Sequence, residues 1–404
     1  MKRIAAEYVY TLTGEGVIRN GFVEYDESGK ILRIGKCAED EKMHIFKGAL
    51  VPGFVNAHCH LELSHLKGKF KKGTGMAGFI DQINALRDSS TYEDKLNAIG
   101  RELNGLWNQG VSAMADISNG PDTFPFKAAT PMYTRSFLEV FGSEPEDCDS
   151  VMTYVRDLQK KAHAYGLDAA PTPHSPYTMS PQLVTASSAA GLEDGYLSYH
   201  SQESPEEEEM LMYGTGKMAD NRRRAGMSMP PVTGQPALMY FLDRLAAIGP
   251  EEKTKLCDKD GKFLPHLLLV HNVCLSEEAA MAALKVLKNV WFAICPLSNI
   301  FIHNALPPIP MMRKLGLNIA LGTDSLSSND LLDMVSEMKC LQDHFPEVPM
   351  EEMLRWACLN GAEFLSKEEE LGSLAPGKKP GLVLIHHLDE TGRLTGESAS
   401  VRII

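Results

Sequence analysis

Eight short apolar runs, separated by stretches of helical character, constrain the fold of this chain most strongly. The runs cover residues 48–56, 112–116, 134–139, 167–171, 196–200, 267–271, 290–294 and 318–322. Strands that alternate with helical stretches of about ten to fifteen residues are typical of repeated βα units and a parallel sheet. Eight is also the number of strands that closes a barrel. The 404 residues leave room for a small accessory domain beside that barrel.

The two ends of the chain have a different pattern. Residues 4–51 form short alternating runs separated by turn signals, which indicates an antiparallel β segment. A similar pattern returns where the turn-forming stretch 376–381 leads into the apolar run 382–386. We therefore predict one β domain built from residues 1–50 and 369–404, with the barrel between them at 51–368.

The formal net charge of -13 argues against a nucleic-acid partner, since binding to phosphates needs clustered lysine and arginine. The acidic run 206–209 and the basic run 222–224 are interpreted as solvated helix faces. Both lie in the longest irregular stretch of the chain, 204–235, which follows the fifth strand. A segment of this length is predicted to cover a site.

The eight cysteines are scattered singly, without the paired spacing of a structural zinc site or the density of a disulfide-rich secreted domain. This usage is typical of a reducing cytosol. An acidic residue, Glu7, arrives before an apolar run could form a signal peptide, and no stretch is long enough to span a bilayer. We expect a soluble, unprocessed, cytoplasmic protein without a membrane partner.

His58 and His60 form a pair with metal-binding spacing. Side chains on a strand alternate between faces, so these two imidazoles point the same way while Cys59 points to the other face. Two histidines at this spacing are weak evidence on their own. Their position strengthens the signal, because they follow the end of an apolar strand, on the barrel face where active sites are built.

Polar residues follow four later strands at the same place: His174, His200, His271 and Asp324. For each of them, a hydrogen-bonded core or loop residue is the alternative, but the set as a whole indicates a site. Three imidazoles and one carboxylate suit zinc or ferrous iron, with a position left open for water. Water beside such an ion ionises near neutral pH and becomes a nucleophile.

Glu203 lies three residues after His200, close enough to approach the same metal without being a ligand. It is predicted to carry protons to a substrate ring nitrogen and then to the departing amine. The alternative is a glutamate at a helix start within an acidic stretch. Asp324 would act both as ligand and as base for the water, and His271 would orient that water or the attacked carbon.

Two other polar groups at strand ends receive supporting roles. Asp116, after the second strand, is interpreted as a loop-capping residue, with a place in the pocket as the alternative. Ser298 and Asn299, after the seventh strand, are predicted to shape the rim of the site rather than react. Five further histidines lack a partner at metal-binding spacing and are interpreted as surface or supporting groups. These are His65, His303, His344, His386 and His387.

Five segments resemble the amidohydrolase superfamily, in order and across nearly the whole chain. They are VPGFVNAHCHL at 51–61, YHSQE at 199–203, VHN at 270–272, CPLSN at 295–299 and LGTDS at 321–325. The resemblance implies an α/β fold, a distorted (β/α)8 TIM barrel with a small β-sandwich domain formed by both termini. It also implies metal ligands at His58, His60, His200 and Asp324, and a homodimer.

The fourth strand narrows the resemblance. Binuclear members usually carry a carbamylated lysine there, whereas residues 171–180 contain no lysine, which indicates the mononuclear deaminase branch. The stretch 173–178 is similar to the methylthioadenosine, S-adenosylhomocysteine and aminodeoxyfutalosine deaminase group, in which the histidine that matches His174 contacts the ribose. The segment 60–80 looks closer to aminodeoxyfutalosine deaminases. Glu62 there either faces the pocket or serves at the surface or in a cap.

The sequence thus predicts a metal-dependent hydrolase that deaminates an amino-substituted heterocycle, with an adenine nucleoside derivative of the aminodeoxyfutalosine or methylthioadenosine/S-adenosylhomocysteine type as the expected substrate. The cofactor is one divalent metal, with Zn²⁺ first and Fe²⁺ or Mn²⁺ also compatible, and the partner is a small-molecule substrate. A second hypothesis keeps the metal and changes the bond, as in a chlorohydrolase or a cyclic amide hydrolase. A third, a non-catalytic scaffold, is disfavoured because every expected ligand is present.

Overall fold

The computed structural model describes residues 1–38 and 44–404 and contains fourteen strands within them. Six belong to one mixed sheet: β1 Lys2–Tyr10, β2 Val17–Tyr25, β3 Ile31–Lys36, β4 Ile45–Pro52, β13 Leu382–Leu388 and β14 Leu394–Arg402. The other eight are β5 Phe54–Cys59, β6 Val111–Ser118, β7 Tyr133–Val140, β8 Asp168–Pro173, β9 Tyr196–Ser201, β10 Phe263–His271, β11 Leu287–Ile294 and β12 Ile319–Leu321.

Strands β5 to β12 form a closed parallel barrel. Their ladders run in chain order, β5-β6-β7-β8 and β9-β10-β11-β12. One seam is joined by the backbone N–H of His200, which donates to the His174 carbonyl at 3.0 Å. At the other seam, the N–H groups of Thr323 and Asp324 donate to the His58 carbonyl at 3.1 and 3.0 Å. The predicted α/β barrel is confirmed, and both seams close through the chain segments that carry the predicted site residues.

Helices cover the outside of the barrel and the loops at its mouth. They are α1 Gly75–Leu86, α2 Tyr92–Gln109, α3 Phe124–Ala129, α4 Cys148–Ala164, α5 Pro181–Glu193, α6 Pro205–Tyr213, α7 Gly216–Arg224, α8 Ala237–Ala246, α9 Pro250–Leu256, α10 Glu277–Val286, α11 Pro296–His303, α12 Ile309–Lys314, α13 Met334–His344, α14 Met350–Leu354 and α15 Asn360–Phe364. Short 3-10 turns at Leu61–Leu66 and Pro145–Asp147 and a π turn at Arg355–Leu359 complete the order.

Helix α2 illustrates why these segments fold as they do. The Thr91 hydroxyl accepts from the Asp94 N–H at 3.1 Å and caps the first turn. Ile99, Leu103 and Leu106 are buried on one face against the barrel. The helix ends at Gly110, whose φ of 106° is a left-handed conformation that glycine adopts without steric cost.

The first predicted strand, 48–56, is divided between the two parts of the molecule. Its first half ends β4 in the mixed sheet, and its second half begins β5 in the barrel. The break falls at Gly53, where an added Cβ would lie 2.0 Å from Ser112 Oγ and 2.4 Å from the Pro380 carbonyl oxygen. The prediction of one continuous strand was wrong, because the run was treated as apolar throughout although Pro52 and Gly53 form a turn-favouring pair at the break.

The stretch 204–235 was predicted to be irregular, with its two charge runs on solvated helix faces; the helices are present, and the solvation of the charges needs one correction. Helices α6 and α7 occupy much of it. Glu207, on α6, is fully buried, and Arg222, on α7, is only 6% exposed. Each charge run therefore has one residue inside the protein, where it is bound by a backbone group. The Glu203 N–H donates to Glu207 Oε2 at 2.7 Å, and Arg222 Nη1 donates to the Tyr177 carbonyl.

Among the described residues, no helix is long and apolar enough to cross a membrane.

Candidate active site

Three histidines meet at the carboxyl end of the barrel. His58 is on β5, His60 follows that strand, and His200 is on β9 directly across the barrel. His60 Nε2 lies 3.2 Å from His58 Nε2 and 3.3 Å from His200 Nε2. All three rings are buried, at 1%, 8% and 4% exposure.

Asp324 completes this cluster from the end of β12. Its Oδ1 lies 3.8 Å from His58 Nε2 and 3.7 Å from His60 Nε2. Its Oδ2 accepts hydrogen bonds from the hydroxyls of Ser298 at 2.6 Å and Ser328 at 3.0 Å. Burial alone would raise the pKa of Asp324, but the surrounding histidines lower it to about 2. The carboxylate is thus charged, with one oxygen held in place and the other turned toward the rings.

His58, His60 and His200 form a group that could hold one divalent metal ion, and Asp324 lies beside two of them. Two ligand atoms bonded to zinc at tetrahedral angles lie roughly 3.4 Å apart, and the distances here range from 3.2 to 3.8 Å. Burial lowers the pKa of all three histidines, most strongly for His58 and His200, which favours the neutral form that metal ligation requires. The Nε2 atoms of His58, His60 and His200 lie close together, and each neutral ring carries at most one proton. A cation placed between these three nitrogens would bind their lone pairs.

His271 and Glu203 face each other beside this cluster. His271 ends β10 with a φ of 73°, and its Nε2 lies 3.5 Å from Glu203 Oε1. The Asn299 side-chain amide donates to His271 Nδ1 at 3.1 Å, so the ring proton sits on Nε2, toward the glutamate. Tyr177 donates to Glu203 Oε2 at 3.1 Å. Burial, with a smaller contribution from the Asp324 charge, raises the pKa of Glu203 to about 8.

His174 lies next to the cluster, after β8. Its Nδ1 is bound by the hydroxyls of Ser175 at 2.7 Å and Thr178 at 2.8 Å, which leaves Nε2 facing the cavity. Burial lowers the pKa of His174 to about 3, so the ring is neutral. The structure therefore brings His174 together with the predicted metal ligands, Glu203 and His271.

Glu139 is a residue of this site that the sequence analysis missed. It is near the end of β7, 7% exposed, with Oε1 lying 3.4 Å from His200 Nδ1 and 3.9 Å from His174 Nε2. Oε1 has no hydrogen-bond partner, and burial raises the pKa of Glu139 to about 8. The sequence contained a signal for Glu139, because this residue ends the third predicted strand. The other candidate residues likewise lie at or directly after the ends of their strands.

Glu62 lies one step further from the metal cluster. Its Oε2 accepts from the Asn119 N–H at 3.0 Å, and the Asn119 side chain donates to Glu139 Oε2 at 3.1 Å. Burial raises the pKa of Glu62 to about 7. In the described part of the chain, the walls of the inner cavity include Asn119 and Glu139 but not Glu62. Glu62 was predicted to contact the substrate directly. Its hydrogen bond gives it a different role, which is to hold Asn119 against Glu139.

The polar groups given supporting roles do support the cluster. Asp116 accepts from the Leu61 N–H at 2.8 Å, as a cap directly after His60, and forms a fully buried ion pair with Lys127. Ser298 and Asn299 are fully buried and contact Asp324 and His271. The prediction that they shape the rim was wrong, because α11 turns both side chains inward beneath the cluster.

The cluster opens into an inner cavity of about 190 Å³. Glu139, His174, Glu203, His271 and Asp324 line its polar side. Side chains from the 3-10 turn and α1 line the other side, among them Leu63, Met76, Phe79, Ile80 and Ile83. A flat apolar ring with polar edges matches such a space, in which one wall binds by contact and the other by hydrogen bonds.

A parallel barrel with a buried cluster of three histidines and an aspartate at its carboxyl end defines a class, the metal-dependent hydrolases. Within that class, residues 49–399 match the model of the amidohydrolase family. The chain belongs to this family, and the predicted resemblance is confirmed.

Several relatives are named as deaminases. The 5-methylthioadenosine/S-adenosylhomocysteine deaminase of Moorella thermoacetica is 27% identical over 347 residues, which cover 83% of this chain and 72% of the relative. The aminodeoxyfutalosine deaminase of Nitratiruptor sp. is 26% identical over 341 residues, 81% of this chain and 77% of the relative.

Solved structures share the fold. The aminofutalosine deaminase of Helicobacter pylori in complex with methylthio-coformycin aligns with a TM-score of 0.77 at 23% identity, over 100% of both chains. The atrazine chlorohydrolase of Arthrobacter aurescens complexed with zinc aligns with a TM-score of 0.68 at 18% identity, over 95% of this chain and 86% of the other. One barrel architecture thus accommodates more than one leaving group.

Proposed function

We propose that this protein is a zinc-dependent aminohydrolase that releases ammonia from an adenine nucleoside derivative. The observation that carries the proposal is the placement of Glu203, whose buried carboxyl group lies beside the metal cluster, 3.5 Å from His271 and hydrogen-bonded to Tyr177. A carboxyl group with a pKa near 8 holds a proton at neutral pH and can deliver it. The deaminases among the relatives support the same reaction.

His58, His60, His200 and Asp324 would hold the metal, which when bound would supply the Lewis acidity that makes water a nucleophile at neutral pH. Asp324 takes the proton of the attacking water on the oxygen that faces the cluster, while Ser298 and Ser328 hold the other oxygen. His271, with its ring proton on Nε2, donates toward the oxygen that is being added and fixes its direction.

Glu203 moves protons on the substrate side. It protonates the ring nitrogen next to the carbon that bears the amine as the water oxygen bonds to that carbon. Glu203, now a carboxylate, takes the proton of the added hydroxyl group and gives it to the amine, so that the carbon–nitrogen bond breaks, ammonia leaves and the carbon keeps the oxygen as a carbonyl. The proton held by Asp324 then restores the Glu203 carboxyl group. Tyr177 orients the carboxyl group throughout through its bond to Oε2.

His174 and Glu139 form the polar wall where the sugar would lie. His174 and Glu139 both line the inner cavity, where His174 Nε2 can donate a hydrogen bond and the Glu139 carboxyl group can donate or accept one. Adjacent hydroxyls of a ribose present both functions, which supports a nucleoside over a free base. Glu62 supports this wall through Asn119.

The homodimer and the cytoplasmic location remain predictions. Sedimentation equilibrium of the zinc-loaded protein tests the first, with twice the 44.5 kDa chain mass expected and a single chain mass contradicting it.

Ammonia release from a substrate panel tests the proposed function. The panel contains adenosine, methylthioadenosine, S-adenosylhomocysteine, aminodeoxyfutalosine, guanine and cytosine, with Glu203→Gln as the matched variant. Turnover of an adenine nucleoside that is lost in the variant supports the proposal. Silence on all six compounds from protein that contains one metal per chain would overturn it, and turnover of a chlorinated triazine would then favour the chlorohydrolase alternative.

A further inference from the structure

Glu203 directly follows an unusual turn of the backbone. Strand β9 ends at Ser201, and Gln202 then adopts a φ of 48°, a left-handed conformation that carries a steric cost in a residue with a side chain. Strained backbone of this kind persists only where neighbouring groups fix it. The carboxyl group of the next residue, Glu203, contacts Tyr177 and His271. The groups that fix the turn therefore determine where the proposed proton carrier lies.

Gln202 itself is fixed by two neighbouring segments. Its carbonyl accepts from the Cys274 N–H at 2.9 Å, and its side-chain amide donates to the Cys274 carbonyl at 3.1 Å. The same amide donates to Glu208 Oε1 on α6 at 2.7 Å. These bonds hold the strained residue, but none of them involves Glu203. The peptide N–H of Glu203 needs a partner of its own.

Glu207, on the first turn of α6, is that partner. Its Oε2 accepts from the Glu203 N–H at 2.7 Å, and the residue is fully buried. In an ordinary capping box, the third helical residue binds the N–H of the N-cap residue, which here is Ser204. The Ser204 hydroxyl does accept from the Glu207 N–H at 3.1 Å, but the Glu207 carboxyl group reaches one residue further, to Glu203. The capping box is therefore displaced onto the proposed proton carrier.

The surroundings of Glu207 are unfavourable for an acid that serves the fold alone. Its Oε1 is buried without a hydrogen-bond partner. Burial, followed by the charges of Glu208 and Glu203, raises the pKa of Glu207 well above the ordinary value. Helix α6 does not need this acid as a cap, because the Ser204 hydroxyl already caps its first turn. A role in holding Glu203 accounts for a buried glutamate at this position.

We propose that Glu207 is a positioning residue, which holds the backbone of Glu203 so that the Glu203 carboxyl group stays between Tyr177 and His271. The inference rests on the proposed function and adds a residue to it. Glu203 is then held at both ends, by Glu207 at its N–H and by Tyr177 at its carboxyl group. A misplacement of about 1 Å in a reacting group can lower the rate by about 100-fold. Glu207 is not among the described residues that line the inner cavity, so its loss should affect kcat and spare substrate binding.

Two substitutions of Glu207 test the proposal through ammonia release by the zinc-loaded protein. Glu207→Gln keeps an oxygen that can accept from the Glu203 N–H, whereas Glu207→Met keeps the length of the side chain and removes the acceptor. For the methionine variant we expect kcat to fall by about 10- to 100-fold, with KM within about threefold of the wild type and one zinc per chain. The glutamine variant should keep kcat within about threefold.

Glu209→Met is the matched control, because Glu209 is an exposed residue of the same helix whose carboxylate accepts from the Thr215 hydroxyl at 3.1 Å. This variant should keep kcat. If Glu207 served only the fold, Glu207→Met would lower the melting temperature and leave kcat of the folded, zinc-loaded protein unchanged. That result overturns the proposal, and so does a glutamine variant as slow as the methionine variant.

Crystal structures of the same proteins give a readout that does not depend on turnover. The distance from Glu203 Oε1 to His271 Nε2, 3.5 Å here, should be kept in the glutamine variant and should change by about 1 Å or more in the methionine variant. If no nucleoside releases ammonia but Glu203 moves as expected, the proposed function is wrong and the positioning role stands. If the wild type deaminates a nucleoside and the methionine variant keeps both kcat and this distance, the reaction stands and the positioning role is wrong.

Discussion

Two regions of this molecule bury glutamates in opposite ways. In the mixed sheet, Glu24 is 5% exposed and lies between Arg3 and Arg33, whose guanidinium groups donate to it at 2.7 and 2.9 Å and lower its pKa to about 2. At the barrel mouth, Glu139 and Glu203 are as well buried, yet desolvation raises the pKa of each to about 8. The difference lies in whether the fold supplies a cation.

A buried carboxyl group without a neighbouring cation lowers the stability of the folded state. The contrast therefore indicates that Glu139 and Glu203 are buried for function and not for stability. In the sheet, Arg3 and Arg33 compensate the negative charge of Glu24. The mouth collects Glu139, Glu203 and Asp324 around three neutral histidines, an arrangement that becomes favourable when a divalent cation binds among them. Perturbed carboxyl groups in a cleft are the usual mark of an active site.

The largest expected effect on activity comes from a substitution in the cluster formed by the three histidines and Asp324. Asp324→Ala removes both a ligand and the proposed base, so we expect metal content to fall from one equivalent toward zero and kcat to fall by at least about 10⁴-fold. Elemental analysis and ammonia release measure the two effects. Full activity without bound metal would show that the cluster is not the reaction centre.

The second prediction concerns Glu203, the proposed proton carrier. Its substitution separates an effect on kcat from an effect on the melting temperature. Glu203→Gln should lower kcat by about 10³-fold and keep one metal per chain. The same change removes a buried acid that lacks a cation, so the melting temperature of the metal-free protein should stay equal or rise. A melting temperature that drops by many degrees would mean that Glu203 serves the fold instead.

A third prediction concerns the buried ion pair between Asp116 and Lys127, which compensates charge at the mouth as Arg3 and Arg33 do in the sheet. Lys127→Met leaves the Asp116 carboxylate buried alone, and the free energy of unfolding should fall by about 3 kcal/mol. Chemical denaturation measures it. The double variant with Asp116→Asn should recover part of the loss, and a double variant no better than the single one would contradict the pairing.

The smallest effect is expected in the sheet. Glu24→Gln should lower the melting temperature slightly and leave kcat and metal content unchanged. Because the folded-state pKa of Glu24 lies below the ordinary value of 4.5, its stabilisation is present above pH 4.5 and is lost as pH falls toward 2. Thermal melts of wild type and variant should therefore differ at pH 7 and converge near pH 2. A gap that persists at pH 2 would exclude this origin.

The sequence predicted the barrel and most of its site because both follow local rules. Strands end where a polar residue follows an apolar run, and parallel strands bring those ends together, which placed His58, His200 and Asp324 on one face. Glu139 obeys the same rule and was missed because it was read only as the end of its strand.

Other features depend on tertiary contacts that no local pattern reveals. Glu207 and Arg222 stand in charge runs that resemble solvated faces, but each is buried because a backbone group elsewhere in the fold needs it. The second cavity at the barrel mouth, of about 800 Å³, likewise arises from α1, α4 and α7 packed over the barrel.

Titration of metal-free protein with zinc, with ammonia release from an adenine nucleoside as the readout, tests the central claim most directly. The account predicts activity that rises in proportion to zinc and reaches its plateau at one equivalent per chain. Activity without zinc, or a plateau only at two equivalents, would contradict a deaminase built on one metal held by His58, His60, His200 and Asp324.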